Sequence, residues 1–207
     1  KVNERLTAQY HYAELEDIYR QQFVGLLANQ PVGQGVLSAD VRLLKSDDAG
    51  SAKASNIDNR AMGAMLGYAL SGHKVSAGWQ RMTGDTSMPY LDGSNPYLVN
   101  YLQVNDFANA QERSWQLRHD YDFKAMGLNG WSFMTRYVNG DNIKVLGRAQ
   151  EGKEWERDTE VKYIVQSGTF KDLSLRFRNA TYRTNYSKFA RDVDETRLIV
   201  SYNLNIW

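Results

Sequence analysis

The residues of this chain that are able to do chemistry are mostly charges spaced two apart. Arg42 follows Asp40, Arg118 precedes Asp120 and Asp122, Lys162 follows Glu160, and Arg176 and Arg178 flank Phe177, while Arg136 and Arg197 add single cations. A guanidinium presents a fork of donors that holds a carboxylate through two parallel hydrogen bonds, and an ammonium adds a mobile point charge. Other chemistries have little material. His11, His73 and His119 fall on three separate segments with no shared ligand spacing, and the chain has no Cys, so neither a metal site nor a cofactor is expected. Gly33-Gln-Gly35 has no helical pattern behind it and reads as a turn, not a phosphate cradle. Asp47-Asp48, Asp92-Gly93 and Asp141 are turn residues before they are calcium ligands. A nucleophile with its base is also missing: Ser114 and His119, five residues apart on one strand, fall on opposite faces.

The elements that must hold these charges are strands. Leu6, Ala8, Tyr10 and Tyr12 alternate with Thr7, Gln9 and His11. Leu37, Ala39, Val41 and Leu43 alternate with Ser38, Asp40 and Arg42. Trp115, Leu117 and Tyr121 oppose Gln116, Arg118, Asp120 and Asp122, and Phe133 and Tyr137 oppose Ser132 and Arg136. Val161 and Tyr163 oppose Glu160 and Lys162, Leu175 and Phe177 oppose Ser174, Arg176 and Arg178, and Leu198, Val200, Tyr202, Leu204 and Ile206 oppose Arg197, Ser201, Asn203 and Asn205. Period two with one apolar and one charged face is the signature of a strand between two different solvents. Residues 18–28 and 60–70, with mixed faces, and 73–83 bring the total to about ten strands, each about as long as a tilted membrane crossing.

Links between the strands appear in two kinds. Ser71-Gly72, Lys124 to Gly130 and Ser167 to Asp172 are short, and Asn29 to Gly35 somewhat longer. Ser46 to Asn59, Gly84 to Ala110, Gly140 to Lys153 and Ser187 to Asp194 are longer and more polar. Tight turns at one end and long loops at the other describe an antiparallel meander through a bilayer, with both termini on the periplasmic side for an even strand number. Strands cross hydrocarbon only as a closed sheet, because every backbone N–H and C=O must be paired internally. Tyr12, Tyr19, Trp115, Tyr137 and Tyr163 are read on the apolar face near segment ends, where amphipathic rings suit the headgroup level. A dry core would not accept the charges of the other face.

Composition excludes other classes. With 207 residues, 42% hydrophobic and 24% charged, the chain can bury a core as one domain over 1–207, and a net charge of +1 supplies no field for nucleic acid. No apolar run approaches the roughly 18 residues of a spanning helix, since Met62 to Leu70 is broken by Gly63 and Gly67. The chain starts at Lys1 without a leader, which is expected of a matured chain or of a segment of a longer one.

Longer stretches add a family likeness. Asn95-Pro-Tyr-Leu-Val-Asn-Tyr101, Asn105-Asp-Phe-Ala-Asn-Ala110, Glu112-Arg-Ser-Trp-Gln-Leu-Arg118, Phe133-Met-Thr-Arg-Tyr137, Glu154-Trp-Glu-Arg157, Val165-Gln-Ser-Gly168 and Leu173-Ser-Leu-Arg-Phe-Arg178 occur in order, and together they resemble the carboxy-terminal part of the OprD-type outer-membrane carboxylate channels of pseudomonads. The resemblance implies an all-β, up-and-down transmembrane barrel of eighteen strands in a chain of roughly twice this length. These ten strands would be its second half, with the inward constriction loop and part of the charged eyelet in the first. A self-contained ten-stranded barrel is the other arrangement that strand arithmetic allows. Trp207, the aromatic end expected of such chains, is one residue out of step with Ile206 and Leu204.

The resemblance also implies roles. A line of basic residues along the inner wall matches Lys162, Arg176, Arg178 and Arg197, which would pass a carboxylate from site to site; the plainer alternative is ordinary lumen charge balanced by Glu160 or Asp120. Met88-Pro-Tyr-Leu-Asp92 resembles a loop that folds toward the pore, placing Tyr90 and Asp92 near its narrowest point, with Asp92 attracting the ammonium of a zwitterion; as a plain turn, Asp92-Gly93 would do neither. The expected function is passive diffusion of small carboxylate-bearing nutrients across a bacterial outer membrane, without catalysis, with membrane lipid and small carboxylates as partners and a monomeric or weakly oligomeric state. Two rivals are an outer-membrane lipid hydrolase and a soluble, secreted, carbohydrate-binding β-protein.

Overall fold

A computed structural model describes residues 2–186 and 192–204. Ten strands run β1 (Leu6–Leu15), β2 (Tyr19–Val32), β3 (Gly35–Asp48), β4 (Asp58–Leu70), β5 (His73–Thr83), β6 (Arg113–Asp122), β7 (Trp131–Ile143), β8 (Gly152–Ile164), β9 (Ser174–Thr184) and β10 (Val193–Ser201), with one 3₁₀ turn at Phe123–Met126. They form a single sheet in sequence order, each strand antiparallel to the next. Among the described residues no pairing joins β1 to β10, so these ten strands make an open wall and not a closed small barrel.

Alternation survives into the register. Cross-strand partners point to the same face, and Val41↔Ala64, Ala64↔Trp79, Trp79↔Trp115 and Leu66↔Ala77↔Leu117↔Tyr137 trace the apolar face across the sheet. On that face Val24, Leu26, Val41, Leu43, Met62, Leu66, Val75, Trp79, Trp115, Leu117, Phe177 and Leu198 are exposed. A continuous apolar surface of this extent has to be covered, and a lipid bilayer covers it. The opposite face carries Arg42, Arg118, Arg136, Lys162, Arg176 and Arg178 and is the inner one, because the segment 84–112 folds over it.

That segment packs against the strands to complete the buried core. Met88 and Leu98 pack with Phe23, Leu44, Ala61 and Met82, and Phe107 and Leu102 pack with Val138. Below them Gln80 donates to the Phe107 carbonyl at 2.8 Å and accepts from the Asn100 amide at 3.0 Å, while the Asn100 side chain donates to Ser114 and accepts from Gln116. The apolar residues bring the segment down and the amides fix where it lands.

Several boundaries differ from the periodicity. β8 begins at Gly152, beside the Lys153 at which the expected link ends, and Glu154, Glu156 and Asp158 take its inner register. Tyr19 pairs with Leu15 and Asp48 on the inner register and does not join the outer aromatic residues. The link alternation is clear at the tight turns Gly33-Gln34 and Ser71-Gly72, but 123–130 and 165–173 are as long as 144–151. Ser71 and Gly72 both take positive φ, 49° and 83°, the backbone a two-residue hairpin needs. The expected strand through Ile206 ends at Ser201; Ile206, Trp207 and residues 187–191 of the expected last loop lie outside the described residues.

Candidate functional site

The charges of the inner face converge on one groove of about 650 Å³ at the tight-turn end of the sheet. Lys74 of β5, Arg118 of β6, Arg136 of β7, Lys162 of β8 and Arg176 and Arg178 of β9 line it, together with Asp120, Asp122 and Glu160. The strands put them there by register. Arg118 lies opposite Arg136, Lys162 opposite Arg176, and Glu160 opposite Arg178, so each basic residue has a like or unlike charge directly across the ladder.

Local carboxylates hold most of the guanidiniums in place. Arg118 grips Asp120 through two bonds, Nε at 2.8 Å and Nη2 at 2.6 Å. Arg136 donates twice to one oxygen of Asp158, at 2.9 and 2.6 Å, and once to the Tyr101 carbonyl at 3.3 Å, which ties the wall to the folded segment. Glu160 takes Arg178 at 2.6 Å and faces Arg176 at 3.4 Å. The Arg176 Nε is buried and without a hydrogen-bond partner among the described residues, and neither Lys74 nor Lys162 has a carboxylate within ion-pair distance there. The Lys74 and Lys162 ammoniums therefore remain as donors for an anion in the groove.

The four residues singled out in the sequence are not all together. Lys162, Arg176 and Arg178 line the groove. Arg197 shares their face, opposite Arg178 on β10, but is held by Glu195 and does not reach the lining. Tyr90 is half-buried and Asp92 exposed; the Asp92 carboxylate accepts from the Gly93 amide at 2.9 Å within its own turn. Lys74, Arg118 and Arg136 were not singled out, although the alternation that placed Arg176 inward places Arg118 and Arg136 inward too.

A second constellation anchors the folded segment 84–112. Glu156 accepts three consecutive backbone amides, Gln103 at 3.1 Å, Val104 at 2.9 Å and Asn105 at 2.8 Å, a nest of N–H groups closed on a carboxylate. Two residues earlier on β8, Glu154 accepts from Asn105, Asn109, Tyr182 and Tyr186. Glu112, fully buried at the end of the segment, accepts from the Asn109 amide and side chain at 3.0 Å each. Burial and the Glu154 charge push the Glu112 carboxyl well above the usual carboxylate range, and for the same reasons Asp106 is pushed up to about 6. Gly140 makes room: a Cβ there would occupy the space of the Glu112 carboxylate.

Matched against known proteins, residues 1–206 fit the model described as outer membrane porin, OprD family. The chain belongs to the OprD family of outer-membrane porins. It is 35% identical over 227 residues to Porin D of Pseudomonas aeruginosa, covering 99% of this chain and 51% of that protein, and 36% identical over 204 residues to the porin-like protein GalP of Pseudomonas putida, covering 98% and 48%. Among solved structures, Pseudomonas aeruginosa OccK10 (OpdN) superposes with a TM-score of 0.95 at 62% identity, covering 100% of this chain and 58% of that one, and OccK5 (OpdH) with 0.93 at 57% identity, covering 100% and 56%. The chain spans about half the length of the curated relatives it matches. OprD membership gives the open wall its context as part of an outer-membrane β-barrel and decides against the enzyme and soluble-protein readings. The fold agrees, with Ser114 buried on the inner register and His119 on the outer one.

Proposed function

We propose that the protein is a selective diffusion channel for small carboxylates, including amino acids and aromatic acids, and that this wall supplies the binding steps. The observation that carries the reading is the excess of cations in the groove: Lys74, Arg118, Arg136, Lys162, Arg176 and Arg178 face Asp120, Asp122 and Glu160. In a confined lumen a carboxylate exchanges its hydration shell for guanidinium and ammonium donors, and neighbouring sites of similar strength let it step on without being trapped. The carboxylates of the wall keep each site weak enough to leave. Arg197, one strand further along the same face, extends the row.

The folded segment narrows the path on this reading. Met88 is buried in the inner core and the Pro89 carbonyl accepts from Gln21 at 3.1 Å, which gives Tyr90 and Asp92 a fixed stem. Asp92, exposed, offers a carboxylate to the ammonium of a zwitterionic solute while the basic wall takes the other end. The channel works as a monomer or a weak oligomer.

The test is uptake by vesicles holding the full-length channel. A small aromatic acid and its uncharged amide differ in charge and hardly in size. Faster entry of the acid supports the carboxylate channel; equal rates would leave a non-selective pore.

A further inference from the structure

The outer wall carries a charge cluster that the lumen does not use. Lys45 on β3 lies directly opposite Arg60 on β4, and Arg81 on β5 directly opposite Arg113 on β6. Because Arg60 pairs with Thr83 and Met62 with Arg81, Arg60 and Arg81 are diagonal neighbours, so four cations form one patch across four strands. All four are exposed, and all are on the face of Leu43, Met62, Trp79 and Trp115. Among the described residues the patch has two ion pairs, both at its margins: Lys45 with Asp47 at 2.9 Å and Arg113 with Asp141 at 3.0 Å. Arg60 and Arg81, at its centre, have no carboxylate within that range.

Like charges directly opposite each other on a sheet repel and weaken the pairing. Asp47 and Asp58, paired one step further along the same face, and Asp141 beside Arg113 offset this repulsion at the margins, but the Arg60–Arg81 centre holds no ion pair among the described residues, and an anion seated there would offset the rest. Position says which anion. Trp79 and Trp115, directly paired, are one outward step from Arg81 and Arg113 toward the apolar band, and aromatic side chains mark the edge of the hydrocarbon. The patch thus begins where the hydrocarbon ends, at the long-loop end, which in an outer-membrane barrel is the outer leaflet.

We propose that Lys45, Arg60, Arg81 and Arg113 form a binding site for the phosphate groups of a phosphorylated outer-leaflet glycolipid. Each phosphate oxygen accepts from guanidinium forks on neighbouring strands and screens the opposed charges, so the lipid staples β3 to β6 together from outside. A soluble phosphate has no reason to dwell at this height on a lipid-facing wall.

The experiment uses the full-length channel in phosphatidylcholine vesicles with three probes: lipopolysaccharide, the same lipid stripped of phosphate, and inorganic phosphate. Replacing charge-assisted bonds with none (Lys45→Gln, Arg60→Gln, Arg81→Gln and Arg113→Gln together) is expected to weaken lipopolysaccharide binding by at least about tenfold, and the stripped lipid should bind the unaltered channel as weakly. In phosphatidylcholine alone the glutamine variant should unfold at a higher temperature than the parent, because the opposed charges are gone, and lipopolysaccharide should raise the parent's unfolding temperature but not the variant's. The charge-preserving set Arg60→Lys, Arg81→Lys and Arg113→Lys should keep most of the binding. If the fourfold variant does not fold, Lys45→Gln with Arg60→Gln and Arg81→Gln with Arg113→Gln give the same comparison as pairs. Unchanged lipid affinity in the glutamine variants would overturn the proposal, and so would inorganic phosphate competing as well as the lipid does.

Discussion

Glu160 on β8 is shared between Arg178, which donates to it at 2.6 Å, and Arg176, which faces it at 3.4 Å from two residues earlier along β9. One carboxylate thus sets the charge available from two guanidiniums of the groove. Glu160→Gln keeps the volume and releases both. The reversal potential of the full-length channel in a salt gradient should move toward that of the anion, and a small carboxylate should block for longer; a shift toward the cation would mean that Glu160 is not the charge restraining this wall.

Lys162 makes the complementary case. It lines the groove with no carboxylate within ion-pair distance among the described residues, so its charge is spent on the lumen. Lys162→Gln should lower anion preference while changing stability by less than about 0.5 kcal/mol, the usual range for a solvated side chain. Reversal potential and a thermal melt together check it, and a large loss of stability would show that Lys162 has a structural partner instead.

Glu156 holds the folded segment 84–112 by three backbone amides at 2.8 to 3.1 Å. Glu156→Gln puts an NH2 donor in place of one of the two oxygens that accept these amides, and a buried amide left without its acceptor costs about 1–3 kcal/mol. Hydrogen exchange at Gln103, Val104 and Asn105 should rise markedly, with β5 and β6 still protected, and single-channel current should become noisier. Unchanged exchange at those three amides would place the anchor elsewhere.

The same region responds to pH. Asp106 is raised to about 6 by burial and by the Glu154 charge, and Glu112 is raised by the same two causes. A carboxyl whose folded value lies above its unfolded one adds stability that is fully present at low pH and is lost as pH rises through the folded value. The segment 84–112 should therefore be held more firmly at pH 5 than at pH 7.5, read by limited proteolysis within it. Asp106→Asn should flatten the part of that dependence between about pH 4 and 6, and a parent channel equally protected at both pH values would contradict the raised carboxyls.

Gly140 gives a steric test of the same anchor. A methyl group at this position meets the Glu112 carboxylate and comes within 3.0 Å of Phe107. Gly140→Ala should displace both and destabilise the segment by about 1–3 kcal/mol, the cost typical of overpacking, whereas Gly147→Ala, in open space, shows only the strain of its positive φ.

What could be read from the chain was what is local. Period two placed Arg42, Arg118, Arg136, Lys162, Arg176 and Arg178 on one face and Val41, Trp115, Leu117 and Phe177 on the other, because each strand repeats the contrast between lumen and lipid. The family blocks did the rest for the fold. What could not be read was non-local. Glu156 meets the amides of 103–105 across about fifty residues of sequence, and nothing local to Glu154 and Glu156 names the folded segment that satisfies them. Tyr19 carries no local sign of its face, which is set by its pairing with Leu15 across a tight turn. The register of Arg197 was legible, but not that β10 lies one strand beyond the groove lining and that Glu195 holds its guanidinium.

Of all measurements, the most direct is the single-channel reversal potential of the full-length channel in a planar bilayer, with and without Arg176→Gln and Arg178→Gln. If the basic wall selects carboxylates, the parent shows small discrete steps, an anion-side reversal potential and current perturbed by a small carboxylate, and the double variant loses most of the preference and of the perturbation. The same reversal potential and carboxylate response in both, or no conductance from well-folded parent protein, would contradict it.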